Sequence, residues 1–162
     1  MTETPPVWRR RAARLLLVDE ARTHVLLVQG FDPQRPDRRY WFTVGGGIEE
    51  GEDAKAAIVR EAMEEIGHAV VPADVVGPYR PERVEFSFDG TTIVQDQEYF
   101  VVVTPRFDPQ FVGVDDVERD STVTVAWVPV RGIPDLAEPL YPAHLAEILA
   151  EWLSQEPTGP QG

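Results

Sequence analysis

The chain has 162 residues, a net charge of −13, no cysteine and 43% hydrophobic residues. That length suits one domain with a sizeable core. The acidic balance excludes a general binder of nucleic-acid backbones or anionic membrane surfaces, and the lack of cysteine excludes disulfides and thiolate chemistry. No stretch reaches the length of a transmembrane helix, and no apolar signal-peptide core follows the N-terminal arginines. A cytoplasmic location is the expectation.

Residues 1–8, with Pro5 and Pro6, read as a loose lead-in. Ala12 to Asp19 and Val25 to Val28 are apolar runs on either side of Glu20-Ala21-Arg22-Thr23, which predicts a hairpin. Arg9, Arg10, Arg11 and Arg14 are read as flanking that first strand. Asp32 to Arg39 is a basic, proline-containing loop, and Tyr40 to Val44 a short strand entering Gly45-Gly46-Gly47. A glycine-rich loop then leads to a helix over Asp53 to Ile66, with Asp53 as N-cap and Gly67 as stop. Val75 to Phe88 and Thr91 to Thr104 read as long strands around Asp89-Gly90, a favoured hairpin dipeptide. Pro105 to Thr122 is an acidic loop, Val123 to Val130 a strand, and Leu140 to Leu153 a second amphipathic helix. Strands on both sides of one central helix, with another helix late, give an α/β sandwich with a mixed sheet. The expected organisation is a single domain over residues 1–154 and a disordered tail over residues 155–162.

The first helix carries the chemistry. Glu61, Glu64 and Glu65 stand within one turn, just before its end. Like charges three and four residues apart repel by roughly 0.2–0.5 kcal/mol per pair. The helix dipole opposes carboxylates there by about 0.3–1 kcal/mol each. A bound divalent cation reverses both terms, and hard cations prefer carboxylate oxygen. Helical spacing puts Ala56, Val59, Met63 and Ile66 on the packing face, and Glu61, Glu64 and Glu65 on the opposite side. A merely solvated acidic face is the alternative.

Gly46, Glu52, Arg60, Glu61, Glu64, Glu65 and Gly67 fall in register on a known pattern. It reads Gly, five residues, Glu, seven residues, then Arg-Glu-U-x-Glu-Glu-x-Gly-U, with U a bulky apolar residue. The chain thereby resembles the Nudix hydrolase superfamily, with its box at residues 46–68. It departs from the pattern at Val44, where many members have proline, at the small Ala62, and at His68 in the last U position.

The resemblance implies an α/β/α sandwich with a curved mixed sheet. It also implies hydrolysis of a pyrophosphate bond in a nucleoside diphosphate linked to another group, with Mg²⁺ or Mn²⁺ as cofactor. Metal ligands are expected at Glu61, Glu64 and Glu65. Glu61 is a ligand or the base, Arg60 orients a box carboxylate, and Glu52 is an additional member. Gly46 and Gly47 offer backbone contacts to substrate, and Arg39 a phosphate contact, with Arg35, Arg38, Arg80 and Arg83 as further candidates. Tyr40, Trp41, Tyr79 and Phe86 are candidates for stacking on a base, against a core reading. Glu98, which interrupts an apolar strand, is the first candidate for a completing carboxylate, with Asp115, Asp116 and Glu118 behind it. His24, His68 and His144 are read as structural. The competing function is a non-catalytic nucleotide-binding regulatory module. Isoprenoid diphosphate isomerisation on this fold leans on a cysteine that the chain lacks. A small-molecule nucleotide is the expected partner, and a homodimer is left open.

Overall fold

The computed structural model describes residue 4 and residues 6–155. Residues 1–3 and 5 of the lead-in and residues 156–162 of the expected tail lie outside them. Gln155, assigned to that tail, closes a helix instead. The strands are β1 Val7–Asp19, β2 His24–Phe31, β3 Arg39–Phe42, β4 Val44–Gly47, β5 Val76–Phe88, β6 Thr91–Thr104, β7 Thr122–Pro129 and β8 Leu140–Tyr141. The helices are α1 Ala54–Ile66, α2 Asp116–Asp120 and α3 Leu145–Gln155.

The strands form one mixed sheet in the order β5-β6-β1-β2-β3-β8, with β4 also on β1 and β7 also on β2. Side chains alternate along β1, so one strand feeds two cores. Leu15 and Leu17 pack under α1 with Ile58, Ala62 and Ile66. Leu16 and Val18 pack under α3 with Leu145, Ile148 and Trp152. The expected sandwich, a curved mixed sheet between helices, is therefore the observed fold.

Several boundaries differ from expectation. β1 starts at Val7, so Arg9, Arg10 and Arg11 lie inside it rather than beside it. The reason is its partner: β6 runs parallel to β1 from Val7↔Thr92 to Asp19↔Thr104 and satisfies the whole backbone edge. The hairpin with β2 is antiparallel, in register at Val18↔Val25. The strand expected over Tyr40 to Val44 breaks at Thr43, because β3 pairs with β2 whereas β4 pairs with β1. The glycines accordingly form a strand, not a loop. Gly45 takes φ 136°, and a Cβ there would meet the Arg14 Cα at 2.9 Å. Only glycine lets β4 lie this close to β1.

The late helix begins at Leu145 rather than Leu140. Pro142 lacks an N–H and disfavours helix at Tyr141, which joins Leu140 in β8 beside β3. The 105–122 loop contains α2, capped by Asp115, whose side chain accepts from the Glu118 N–H. The β5–β6 hairpin turns at Asp89 (φ 48°) and Gly90 (φ 80°), as that dipeptide requires.

The faces of α1 also need correction. Its buried residues are Ala57, Ile58, Ala62, Glu65 and Ile66, while Met63 is 50% exposed. Glu65 therefore points toward the sheet, not outward with Glu64.

Candidate active site

α1 starts where Asp53 accepts from the Ala56 N–H and ends at Gly67 in the left-handed conformation. Between them Arg60 acts as a hub. Its Nε donates to Glu52 Oε2 at 2.9 Å, and its Nη1 to Glu61 Oε1 at 3.0 Å and Glu64 Oε2 at 3.1 Å. Its Nη2 donates to the Gly47 carbonyl at 2.8 Å and to Glu52 Oε1 at 2.9 Å. One guanidinium thus ties the loop acid, two helix acids and the glycine strand together. Fork geometry of this kind is specific to arginine. The hydrogen bond from Arg60 holds the Glu52 carboxyl below its usual pKa.

Glu65 is the opposite case. Among the described residues its side chain accepts from the Gly45 N–H at Oε1, at 3.4 Å. Its Oε2 is buried with no donor. Burial pushes its pKa well above the ordinary 4.5, and the Glu61 charge adds to this, against the pull of Arg14. As a carboxylate, Oε2 lacks a partner; protonated, Glu65 can share its proton with Glu61. Glu61 itself lies against β4, where a Cβ on Gly46 would come within 2.6 Å of Glu61 Oε1.

A fifth carboxylate approaches from α2. The loop before it docks on the end of α1, with the Val112 N–H donating to the Glu65 carbonyl at 2.6 Å. Glu118 follows, accepting from the Val114 N–H at 2.9 Å. Burial raises the Glu118 pKa first, and the charges of Asp115, Glu61 and Glu64 raise it further.

Glu98 comes from the far side of β1, since Ala13 has Gly46 on one side and Glu98 on the other. It sits in β6 opposite Ala13, on the sheet face of Phe100 and Val102. It lines a cleft of about 500 Å³ with Arg11, Ile48, Arg83 and Asp96, and its side chain makes no hydrogen bond or ion pair among the described residues. Arg39 is exposed at the start of β3, and Arg35 and Arg38 are exposed before it. Arg80 pairs with Glu151 and Arg83 with Asp96, both at the surface. Tyr79 is core, Trp41 packs beside it, and Phe86 is 39% exposed. Tyr40 meets Phe42 at a tilt and Tyr141 edge to face. His68 stacks on Phe107 at 4.4 Å, so its ring serves as a flat apolar surface. His24 pairs with Asp19 and His144 with Glu82.

The structure thus gathers Arg60, Glu52, Glu61, Glu64, Glu65, Gly46 and Gly47 in one place, while Arg39 is exposed at the start of β3 and Glu98 stands on the α1 face of the sheet, across β1 from Gly46. Glu118, which the sequence placed behind Glu98, also faces the helix acids. Its signal was faint: an Asp115 cap and one turn of helix inside an aperiodic loop. Among the described residues no group of three or more acids or histidines already surrounds a common point, since Arg60 takes Glu61 and Glu64. The donor set still fits a hard divalent cation. It is all oxygen, it is crowded with negative charge, and it holds one buried carboxylate oxygen that lacks a donor.

Comparison with known proteins agrees with this geometry. The NUDIX domain family matches residues 8–151. A Mycobacterium tuberculosis (strain CDC 1551 / Oshkosh) protein, provisionally named mutator protein MutT4, is 27% identical over 163 residues. That alignment takes in 91% of this chain, and the chain spans 61% of the relative's length. The dihydroneopterin triphosphate pyrophosphohydrolase of E. coli superposes with a TM-score of 0.62 at 20% identity, over 93% of this chain and 99% of that one. The NUDIX domain of Shewanella oneidensis NrtR, solved with ADP ribose, gives 0.57 at 17% identity, over 94% and 90%. At such identities the structures speak for the fold alone. The match over residues 8–151 places this protein in the Nudix hydrolase family.

Proposed function

We propose that the chain hydrolyses a pyrophosphate bond in a nucleoside diphosphate linked to another group, with a divalent cation held by Glu61, Glu64 and Glu65. The observation that carries this reading is the donor-less, buried Oε2 of Glu65 beside Glu61 and the glycine strand. A buried carboxylate oxygen left without a donor costs about 1–3 kcal/mol, which a cation offsets. Mg²⁺ or Mn²⁺, when bound, neutralises phosphate charge and makes the attacking water more acidic.

The chain's own residues do the rest. Arg60 holds Glu52 and the Gly47 carbonyl, which fixes the loop against the helix and orients Glu61 and Glu64. Gly46 lets the Glu61 carboxyl lie directly against β4. Glu118 reaches the cluster from α2, apart from the hub at Arg60. Its raised proton affinity suits it to take the proton of the attacking water at a carboxylate oxygen. Glu98, across β1 from Gly46 in a cleft shared with Ile48, is the second candidate for that task. A soluble nucleotide inside the cytoplasm is the proposed setting. Among the described residues no helix is long and apolar enough to cross a membrane.

The test is a screen of dNTPs, dinucleoside polyphosphates, nucleotide sugars and ADP-ribose with Mg²⁺ or Mn²⁺, read by product chromatography. A nucleoside monophosphate should appear with at least one class and vanish in excess chelator. Glu118→Gln should lower kcat by about 10²-fold or more, with Glu98→Gln close to wild type. Full turnover in chelator refutes the metal assignment, and binding without turnover favours the regulatory module.

A further inference from the structure

The sheet ends at β5, and the outer side of that strand is open. Among the described residues β5 pairs with β6 alone, and no other backbone bond reaches residues 83–87. A free edge offers N–H and C=O groups to another strand, and proteins blunt such edges with proline, bulges or short strands. The first half of β5 is blunted in this way. It holds Pro78 and Pro81, and its register with β6 shifts between Val76 and Tyr79 and again between Tyr79 and Glu82. From Glu82↔Gln97 to Phe88↔Thr91 the ladder is regular and contains no proline.

The turn fixes which groups of this second half point outward. Asp89 and Gly90 both have positive φ, as a two-residue type I′ turn requires. The closing pair Phe88↔Thr91 then exchanges both its backbone bonds, and so do Phe86↔Ile93 and Val84↔Gln95. Ser87, Glu85 and Arg83 alternate with them, so their N–H and C=O groups point away from β6. Side chains alternate as well. Arg83, Glu85 and Ser87 lie on the α1 side of the sheet with Asp96, and Val84 and Phe86 lie on the other side with Ile93. Arg83, Glu85, Phe86 and Ser87 are all exposed.

Charge then selects a partner and a register. The chain carries −13 overall, which opposes self-association. β5 carries Arg80 and Arg83 against Glu82 and Glu85, so along this edge the repulsion is cancelled. In an antiparallel two-fold pairing centred on Val84, Arg83 of each copy faces Glu85 of the other. Both members of that pair direct their backbone groups outward, as a hydrogen-bonded pair requires. Moving the centre by one residue either way sets Glu85 against Glu85 or Arg83 against Arg83, and like charges directly opposite are destabilising. Arg83 already binds Asp96 of its own chain at 2.8 Å, and its remaining donors are free to reach a second carboxylate. Ser87 faces Pro81, whose carbonyl accepts although it has no N–H to give. On the other side of the sheet Val84 meets its own copy, with Phe86, 39% exposed, next to it.

We propose that β5 is a self-association edge, which joins two copies of this chain into one continuous sheet through Arg83, Val84 and Glu85. Pro81 and Arg83 also wall the Glu98 cleft. In this register Glu85 and Ser87 of the second copy extend that wall.

The test is sedimentation velocity on the full chain from about 10 µM to 1 mM, the span that a small interface calls for. The salt is about 0.15 M, which screens distant charges. The wild type should pass from monomer to dimer within that span. Arg83→Glu and Glu85→Arg should each raise the dimer dissociation constant tenfold or more, because each sets like charges opposite. Mixed in equal amounts, the two variants should dimerise again, since each supplies the charge that the other needs. Glu20→Arg, the same charge change on the β1–β2 turn, should stay within twofold. A wild type that stays monomeric over the whole span overturns the proposal. So do single variants that dimerise as the wild type does, a mixture that stays monomeric, or an equal loss in Glu20→Arg. Neither metal nor substrate enters the experiment, so its outcome is independent of the hydrolase reading.

Discussion

At the residue scale, Glu65 sets a measurable cost. Its folded pKa lies above the ordinary 4.5 because it is buried beside Glu61. Below pH 4.5 it is protonated in both states and contributes nothing. As the pH rises through 4.5 the unfolded chain releases the proton first, so the folded state loses stability until its own pKa is passed. Glu65→Gln should therefore stabilise the metal-free protein by about 1–3 kcal/mol at pH 7.5. The gain should shrink toward zero at pH 4, as followed by urea unfolding at both pH values. An equal effect at both pH values would show that the charge of Glu65 is not what costs stability. The sequence told that three acids share a helix end, but not which way each one points. Met63 looked like a core residue and anchored the helical wheel wrongly; its exposure, at 50%, turns Glu65 inward.

At the element scale, the glycine strand is the part whose form the sequence hid. Glycine triplets read as loops, yet pairing with β1 from Ala12↔Gly47 to Leu15↔Val44 makes this one a strand. Two neighbouring glycines should then behave differently. Gly45→Ala meets the β1 backbone at a φ of 136°, which should cost about 2–4 kcal/mol in urea unfolding. Gly46→Ala meets only the flexible end of Glu61, so stability should change by less than about 1 kcal/mol. Turnover should nevertheless fall steeply, since Glu61 must leave its place. Equal stability losses, or full activity in Gly46→Ala, would contradict this placement. α2 escaped notice for a related reason. Five residues in an acidic loop have no periodicity to read, and Glu118 acquires its place only when Val112 docks on α1.

At the scale of the whole molecule, the order of strands and helices was legible and the pairing was not. Apolar runs and the Asp89-Gly90 turn announce β5 and β6. Nothing local announces that β6 lies parallel to β1, with 85 residues between Arg10 and Gln95. The box was legible because its spacing is local to one helix and one loop. The central claim is that the acids of α1 form a cation site in the folded chain. The most direct measurement is a Mn²⁺ titration of the substrate-free protein, with free Mn²⁺ read by electron paramagnetic resonance. The wild type should show at least one saturable site that Mg²⁺ competes for, and Glu64→Gln and Glu65→Gln should each weaken it by tenfold or more. Absence of saturable binding in the wild type, or the same affinity in both variants, would contradict the account.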